Sequence, residues 1–549
     1  MRSLIQALQD HELITLRVIG EWWELDLTGA NKAASAEMLA ERLAHLNMAQ
    51  ELQFLPPEEA AALEGLAAAG GRIPVAAFER EHGGVRLMGP GRLEREEPWF
   101  DPQTPAEALW YRGFLYRGFD DTAEGVIEFY YLPDEFLARF PPAEKTAAPP
   151  TAPSSLAPVD PPAEWRPAVT DAVDDLTTLL SLAQTTALRA ERLDQLEQLL
   201  LNPDRDRRSL LLTLAQEMGL LKQAETGIRP TRPAVRWLQQ SREQQLRALA
   251  DAWSRSDWND LRHTPGLVCE GEHWQNDPIL ARAALLDALP RGAAWYSAAS
   301  LTAHIKATDP DFQRPDGNYD TWYIREANGG EYIRGFENWD LVEGRLIPWL
   351  LQGPLFWLGL VETAGRGSQL LYRLTDRALA WLAGEPAPAQ ETRVSLRVTP
   401  DAVIIAPRHA GRYARFQAAR ISEAEPAARE QPYRYRLTPR SLAQARQAGI
   451  TPQRIVQFLT EASGRPLPAS VQRGIERWAE KGVEAKLETA VILRVREEKI
   501  LETLRANPKT RPYLDQTLGP LAAAVRPENW QKLRAAAAQL GLLLDVEPA

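Results

Sequence analysis

Apolar positions along this chain recur every three to four residues in short runs, and each run closes at a glycine followed by alternating apolar and polar residues. The runs predict helices near 57–68, 104–112, 206–217, 278–289 and 338–351. After three of them the text repeats. Gly219-Leu220-Leu221 leads to Arg229-Pro230-Thr231 and Val235-Arg236-Trp237-Leu238. Gly359-Leu360-Val361 leads likewise to Arg373-Leu374-Thr375 and Leu379-Ala380-Trp381-Leu382. A looser copy is Gly113-Phe114-Leu115, then a hairpin at 125–132 and Pro133-Asp134-Glu135-Phe136-Leu137. Helix, strand, turn, strand and capped helix make the wing of a winged-helix unit, so three such units are expected before residue 390. Gly89-Pro90-Gly91 and Asp316-Gly317-Asn318 punctuate them as turns.

The last third follows different punctuation. Thr438-Pro439 and Thr451-Pro452 are helix starts, with a capping hydroxyl and a proline that has no donor to leave unpaired. Gly449 and Gly464 stand where those helices should stop. A helix over 468–480 puts Val471, Ile475 and Trp478 on one face. A hairpin at 484–495, helices at 496–506 and 527–540, and strands at 403–406 and 542–546 are also predicted.

The expected class is a helix-rich α+β multidomain chain: tandem winged-helix-like domains followed by an α+β domain. Its parts are a small helix-loop-helix unit (1–50), a winged-helix-like domain (51–140), a Pro/Ala-rich linker (141–167), winged-helix-like domains at 168–262 and 263–390, and the α+β domain at 391–549. In the first fifty residues, helices at 11–21 and 33–45 joined by 25–30 resemble SAP-type DNA-binding modules in spacing.

At 549 residues and 44% apolar, with 17 Trp, the chain has ample core material for several domains. A single cysteine, Cys269, excludes an intramolecular disulfide and a thiolate zinc cluster and fits a reducing cytoplasm. The apolar run 346–361 is broken by Pro348, Gly353 and Pro354, and reads as a buried helix leading into a strand rather than a membrane span. Charge is divided unevenly. Residues 393–549 hold about 26 Lys/Arg against about 16 Asp/Glu, while the chain total is −11, leaving roughly twenty-one negative charges before residue 393. The basic part is the one suited to a polyanion.

The blocks Val403-Ile404-Ile405-Ala406-Pro407, Tyr433-Arg434-Tyr435-Arg436-Leu437-Thr438 with Ser441-Leu442, and Leu467-Pro468 through Trp478 resemble, in this order, the N-terminal domain of XPB-type DNA helicases, a helicase-associated domain. The resemblance covers roughly 395–549. It implies a domain that engages DNA or couples a motor to a partner. A motor would need a Gly-x-x-x-x-Gly-Lys-Ser/Thr phosphate loop, and the chain contains no Gly-Lys dipeptide. The plan also resembles the winged-helix and clutch regulatory subunit that activates XPB. The expected function is a non-catalytic helicase-associated protein that scaffolds or regulates a DNA-processing motor. The alternative is a stand-alone winged-helix DNA-binding protein or transcription regulator, for which Arg232 and Arg236 keep the second wing unit open.

The DNA-binding candidates are Arg434, Arg436, Arg440, Arg473 and Arg477. Arg434 and Arg436 alternate on one strand face, Arg440 begins a helix, and Arg473 and Arg477 lie one turn apart. Other constellations fall short of chemistry. His11-Glu12 begins a zinc helix, but Thr15 holds the second ligand position. Cys269 with His273 has no second pair, and Asp309, Asp311, Asp316 and Asp320 lack the glycine and closing glutamate of a calcium loop. Asp120-Asp121 and Asp174-Asp175 read as a turn and a solvated helix surface. The aromatic block from Tyr319 and Trp322 to Trp339 reads as core. No enzyme activity, cofactor, metal, membrane or small-molecule substrate is expected.

Overall fold

Gly113, Gly219 and Gly359 adopt left-handed φ angles of 76°, 66° and 72°, and each closes a helix in the same way. The amide after each glycine reaches back five residues: Phe114 to Leu109 O (3.0 Å), Leu220 to Ala215 O (2.8 Å) and Leu360 to Leu355 O (2.9 Å). A side chain at those φ values would be strained, which is why glycine recurs there. The chain then enters a hairpin. The Thr231 and Thr375 hydroxyls donate to the carbonyls of Gly219 (2.5 Å) and Gly359 (3.1 Å), so the repeated threonine ties the following helix back to the closing glycine.

The computed structural model describes residues 2–122, 125–141, 156–185, 194–225, 227–271, 276–486 and 489–546. They form two units. Met1–Arg397, Val403–Arg436 and Ala462–Gly464 make the first; Val398–Ala402, Leu437–Glu461 and Arg465–Ala549 make the second. The fold is helix-rich α+β with several small sheets.

In the first unit, helix Pro57–Ala68, strand Arg72–Pro74, helices Val75–His82 and Pro105–Tyr111, and the hairpin Tyr116–Thr122/Gly125–Tyr131 follow one another. The third strand lies between the first and second, which is winged-helix strand order. Pro278–Ala288, Tyr296–Ser297, Ala298–Thr308, Trp339–Leu350 and the hairpin Val361–Ala364/Leu371–Leu374 repeat that plan, again with the last strand central. A single π turn, Leu351–Leu355, extends the Trp339–Leu350 helix around Pro354, and the segment is buried as far as Val361. Among the described residues no helix is long and apolar enough to cross a membrane. The first fifty residues differ from expectation. Helix Leu4–Asp10 precedes Leu13–Trp22, with His11 and Glu12 extended between them, so the expected helix from residue 11 starts at Leu13.

Residues 142–155 of the expected linker lie outside the described residues. Residues 156–167 are anchored: Val159 N donates to Trp295 O (2.8 Å), and Arg166 N donates to Thr363 O (2.7 Å).

The centre of the first unit is the helix Asp171–Thr185, buried along nearly its whole length. It packs against helices Arg205–Glu217, Arg242–Trp253 and Arg412–Ala419, and Leu176, Leu179 and Leu180 supply part of the largest apolar core. Its hydroxyls turn back on the helix, Thr177 Oγ1 donating to Val173 O (2.7 Å) and Ser181 Oγ to Thr177 O (2.7 Å). Val403–Ala406 pairs antiparallel with Tyr433–Arg436, which pairs in turn with Glu423–Ala424.

In the second unit, helices Pro439–Gln447, Pro452–Ser463 and Ala469–Lys481 start and stop where the sequence marks them. Thr438 Oγ1 accepts the Ser441 amide (3.0 Å), and Gly449, at φ 77°, closes the first of these helices. Of the expected 484–495 hairpin, residues 487–488 lie outside the described residues, and the described ones form no strand before Val491. A single strand, Val491–Arg494, pairs instead with Ala522–Val525, and Thr517–Gly519 covers the other edge. Residues 542–546 are irregular rather than a strand: the sheet closes without them.

Candidate nucleic-acid interface

Strand alternation sends Tyr433 and Tyr435 into the first unit and Arg434 and Arg436 out of it. The two arginines share one carboxylate. Arg434 Nε donates to Glu425 Oε2 (2.8 Å), and Arg436 Nε and Nη2 donate to Glu425 Oε1 (3.1 and 2.9 Å). Arg434, and then Arg436, hold the Glu425 carboxyl below its ordinary range. This strand face thus carries one net positive charge from three groups.

The second unit holds the other three candidates. Arg440 is exposed in the first turn of Pro439–Gln447 and has no carboxylate partner among the described residues. Arg473, exposed on Ala469–Lys481, donates through Nε to Ala469 O (3.1 Å) and meets no carboxylate there either. Arg477, one turn on, is paired with Glu484, through Nη2 at 3.2 Å and through Nε. That contact lowers the Glu484 carboxyl. Arg446, Arg454, Arg494 and Arg496 are exposed cations of the same unit that the sequence reading passed over. For Arg454 the signal was present: Ile455 and Leu459 mark the buried stripe of Pro452–Ser463 and leave its neighbour outside.

Part of the basic surplus of residues 393–549 serves a different end. Asp174, read from sequence as a solvated surface residue, is 1% exposed. Arg242 reaches it with two bonds (2.9 and 3.1 Å), Arg408 with one (3.0 Å), and the Arg415 guanidinium lies 3.6 Å away. Asp171 accepts from Arg408 (2.6 Å) and is ion-paired with Arg429 (2.7 Å), and Asp175 accepts from Arg207 (2.6 Å) and the Leu201 amide (2.7 Å). Burial alone would raise the Asp174 pKa; Arg242, with Arg415 and Arg408, outweighs it and holds the carboxyl below its ordinary value. Arg412, 1% exposed, is bound by Glu391, Gln245 Oε1 (2.9 Å) and Gln240 O (2.9 Å). Four arginines of 403–436 therefore meet acidic partners from earlier in the chain. To that extent the charge split along the sequence is an internal match.

The remaining constellations resolve into structure. Asp120 lies in the strand Tyr116–Thr122 and pairs with Arg72 (2.6 Å). His11 is buried against Trp110, and burial, then Lys32, pushes its imidazole down to about 4. Cys269 is pushed up to about 11 by burial, and His273 lies outside the described residues. No group of metal-ligating side chains converges among the described residues. Trp322, Trp339 and Tyr319 are buried, while Tyr323 and Tyr332 stay exposed and pack edge to face (5.3 Å).

Residues 396–518 match the family described as helicase conserved C-terminal domain, less than a quarter of the chain. That segment, within a multidomain α+β framework, is what the chain shares with helicases. No curated protein matches it.

Proposed function

We propose that this protein is a non-catalytic, helicase-associated factor that scaffolds or regulates a DNA-processing motor of the XPB type and contacts DNA through exposed arginines of its C-terminal part. The match at 396–518 carries the reading. The order of sequence blocks in that segment supports the XPB-like character, and the absence of a Gly-Lys dipeptide supports a chain that serves a motor elsewhere. Arg440 and Arg473 supply phosphate-binding forks on an exposed surface. The small sheet of the second unit leaves Ile492, Leu518 and Leu521 exposed, which suits a protein partner.

The alternative, a stand-alone winged-helix DNA reader, draws less support. In the second wing unit the helix before the hairpin, Arg205–Glu217, turns Arg207 and Arg208 inward onto Asp175 and Glu197. In the third, Arg345 is paired with Glu326. Arg232 and Arg236 remain exposed, but on the helix after the wing.

The test is fluorescence anisotropy of duplex, single-stranded and forked DNA with the full chain across salt. Binding with a slope of several released ions, reduced by Arg440→Glu with Arg473→Glu, supports the reading. No binding at moderate salt removes the DNA contact from it. The full chain is required, because a fragment starting at residue 390 would strip Arg408 and Arg415 of Asp171 and Asp174, and Arg412 of Gln240 and Gln245.

A further inference from the structure

A polar groove of about 520 Å³ lies inside the first unit, between the Val75–His82 helix and second hairpin strand on one side and residues 276–322 on the other. Its walls are locked together. Arg80 forms a bidentate pair with Asp311 (3.0 and 2.8 Å), and its guanidinium sits 4.4 Å from the Phe336 ring centre. Gly317, at φ 66°, comes so close to the Ala77 backbone that an added Cβ would lie 2.8 Å from Ala77 N. The groove is therefore preformed.

Its lining is acidic. Glu79, Glu128, Asp277 and Asp316 face it. Glu128 is paired with Arg117, and Glu79 accepts the Tyr130 hydroxyl (2.9 Å). Asp277 and Asp316 accept the backbone amides of Ile279 (2.8 Å) and Asn318 (3.1 Å). Glu79, Asp277 and Asp316 form no ion pair among the described residues, although Glu79 lies in the field of Arg117. Arg314, the cation in the lining, is committed to Glu343 (2.7 Å) and lies over the Trp322 ring (3.9 Å).

A second observation is independent of the carboxylates. Gln313, 1% exposed, also lines the groove, and its Oε1 has no hydrogen-bond partner among the described residues. The amide cannot be turned round to cure this. Its Nε2 donates to the Glu343 carboxylate (3.0 Å), and a flip would set oxygen against oxygen. Behind it, Glu343 Oε2 is likewise buried without a donor among the described residues. Buried acceptors without donors are costly, and here they adjoin a cleft whose walls favour positive charge. The cleft is far larger than a metal ion needs, and the carboxylates do not converge on a point.

We infer that this groove receives a guanidinium or ammonium side chain from a basic segment of a partner protein, with the carboxylates supplying the field and Gln313 Oε1 a specific acceptor. Exposed Val126, at 67%, gives the groove an apolar lip for the peptide's aliphatic portion. This surface is separate from the arginines proposed for DNA.

The experiment is calorimetric titration of the full chain with short arginine-containing and lysine-containing peptides, and with spermidine, at about 50 and 300 mM salt. One peptide per chain is expected at low salt, with affinity falling at least tenfold in Glu79→Gln/Asp316→Asn. That variant changes groove-facing groups with no ion-pair partner, and unchanged melting confirms its fold. Asp340→Asn, outside the groove, should bind as the parent does. Absence of peptide binding, binding unaffected by the double variant, or binding of spermidine but neither peptide would each overturn the inference. DNA anisotropy of Glu79→Gln/Asp316→Asn should match the parent, so failure here and failure of the DNA reading are separable.

Discussion

Residues 403–436 and the segment from 437 onward are both arginine-rich and both fall largely within the helicase-associated match, yet they use arginine in opposite ways. In the first, Arg412 and Arg415 are buried to 1% and 3% exposure; Arg415 faces Asp174 and Thr178 from far earlier in the chain, and Arg412 joins nearby Glu391 to distant Gln245. In the second, Arg440, Arg446, Arg454 and Arg473 are exposed and lack carboxylate partners among the described residues. A buried guanidinium must have its donors satisfied and its charge opposed, so its sequence neighbourhood says little about where its partner is. An exposed one remains available to a phosphate. Arginine content alone does not distinguish a ligand surface from an internal electrostatic joint.

The largest effect should come from breaking the joint. Asp174→Ala leaves Arg242, Arg408 and Arg415 around a missing charge and should cost about 3–5 kcal/mol, read as a fall in thermal midpoint. An unmoved midpoint would show that the network adds nothing to stability. The same group gives the joint a pH signature. Because the folded Asp174 pKa lies below its ordinary value, its stabilisation is complete above that value and is lost as pH falls through the folded pKa. The acid limb of the stability curve should be shallower in Asp174→Asn than in the parent. Identical limbs would assign acid sensitivity to other groups.

Charge reversal at exposed positions should do the converse. Arg440→Glu with Arg473→Glu is expected to leave the melting curve within about 0.5 kcal/mol of the parent. DNA affinity should fall about tenfold or more near 100 mM salt, with the salt slope reduced by about two. Lost stability with DNA binding retained would reverse the contrast between the two segments.

Local punctuation was legible in the sequence and long-range partnership was not. Gly113, Gly219 and Gly359 announced helix closures because their φ angles exclude other residues at low cost, and Thr438 announced a helix because a hydroxyl caps it from adjacent positions. Asp174 was misread because acidic residues near the start of an amphipathic helix look the same whether they face water or a guanidinium from residue 408 or 415. The 484–495 hairpin was misread for a related reason. Val491–Arg494 has the alternation of a strand, but its partner, Ala522–Val525, lies about thirty residues downstream. Of the five candidate arginines, sequence placed the strand pair on one face but could not show that Glu425 holds both.

Trp478 sharpens the comparison at intermediate size. It was expected to share the buried face of Val471 and Ile475, which are 3% and 2% exposed, but it is only half-buried at the end of Ala469–Lys481. Trp478→Ala should therefore cost about 1–2 kcal/mol, less than the 3–5 kcal/mol of a fully buried aromatic. Ile475→Ala should cost about 2–3 kcal/mol. Equal losses would mean that the helix end is more deeply packed than its exposure indicates.

The smallest effect concerns Arg434 and Arg436, which stand between the two classes: half-buried and exposed respectively, but paired like the first. Glu425→Gln removes the carboxylate they share. The three side chains are largely solvent-facing, so stability should change by no more than about 0.5 kcal/mol. Freed of their counter-charge, the two arginines gain one unit of net positive charge on a single strand face. If that face contacts DNA, affinity should rise about two- to fivefold at low salt and the salt slope should steepen, whereas a purely structural pair would leave both unchanged. A rise that disappears in Glu425→Gln/Arg434→Ala/Arg436→Ala would attach the gain to these two guanidinium groups rather than to the chain's overall charge.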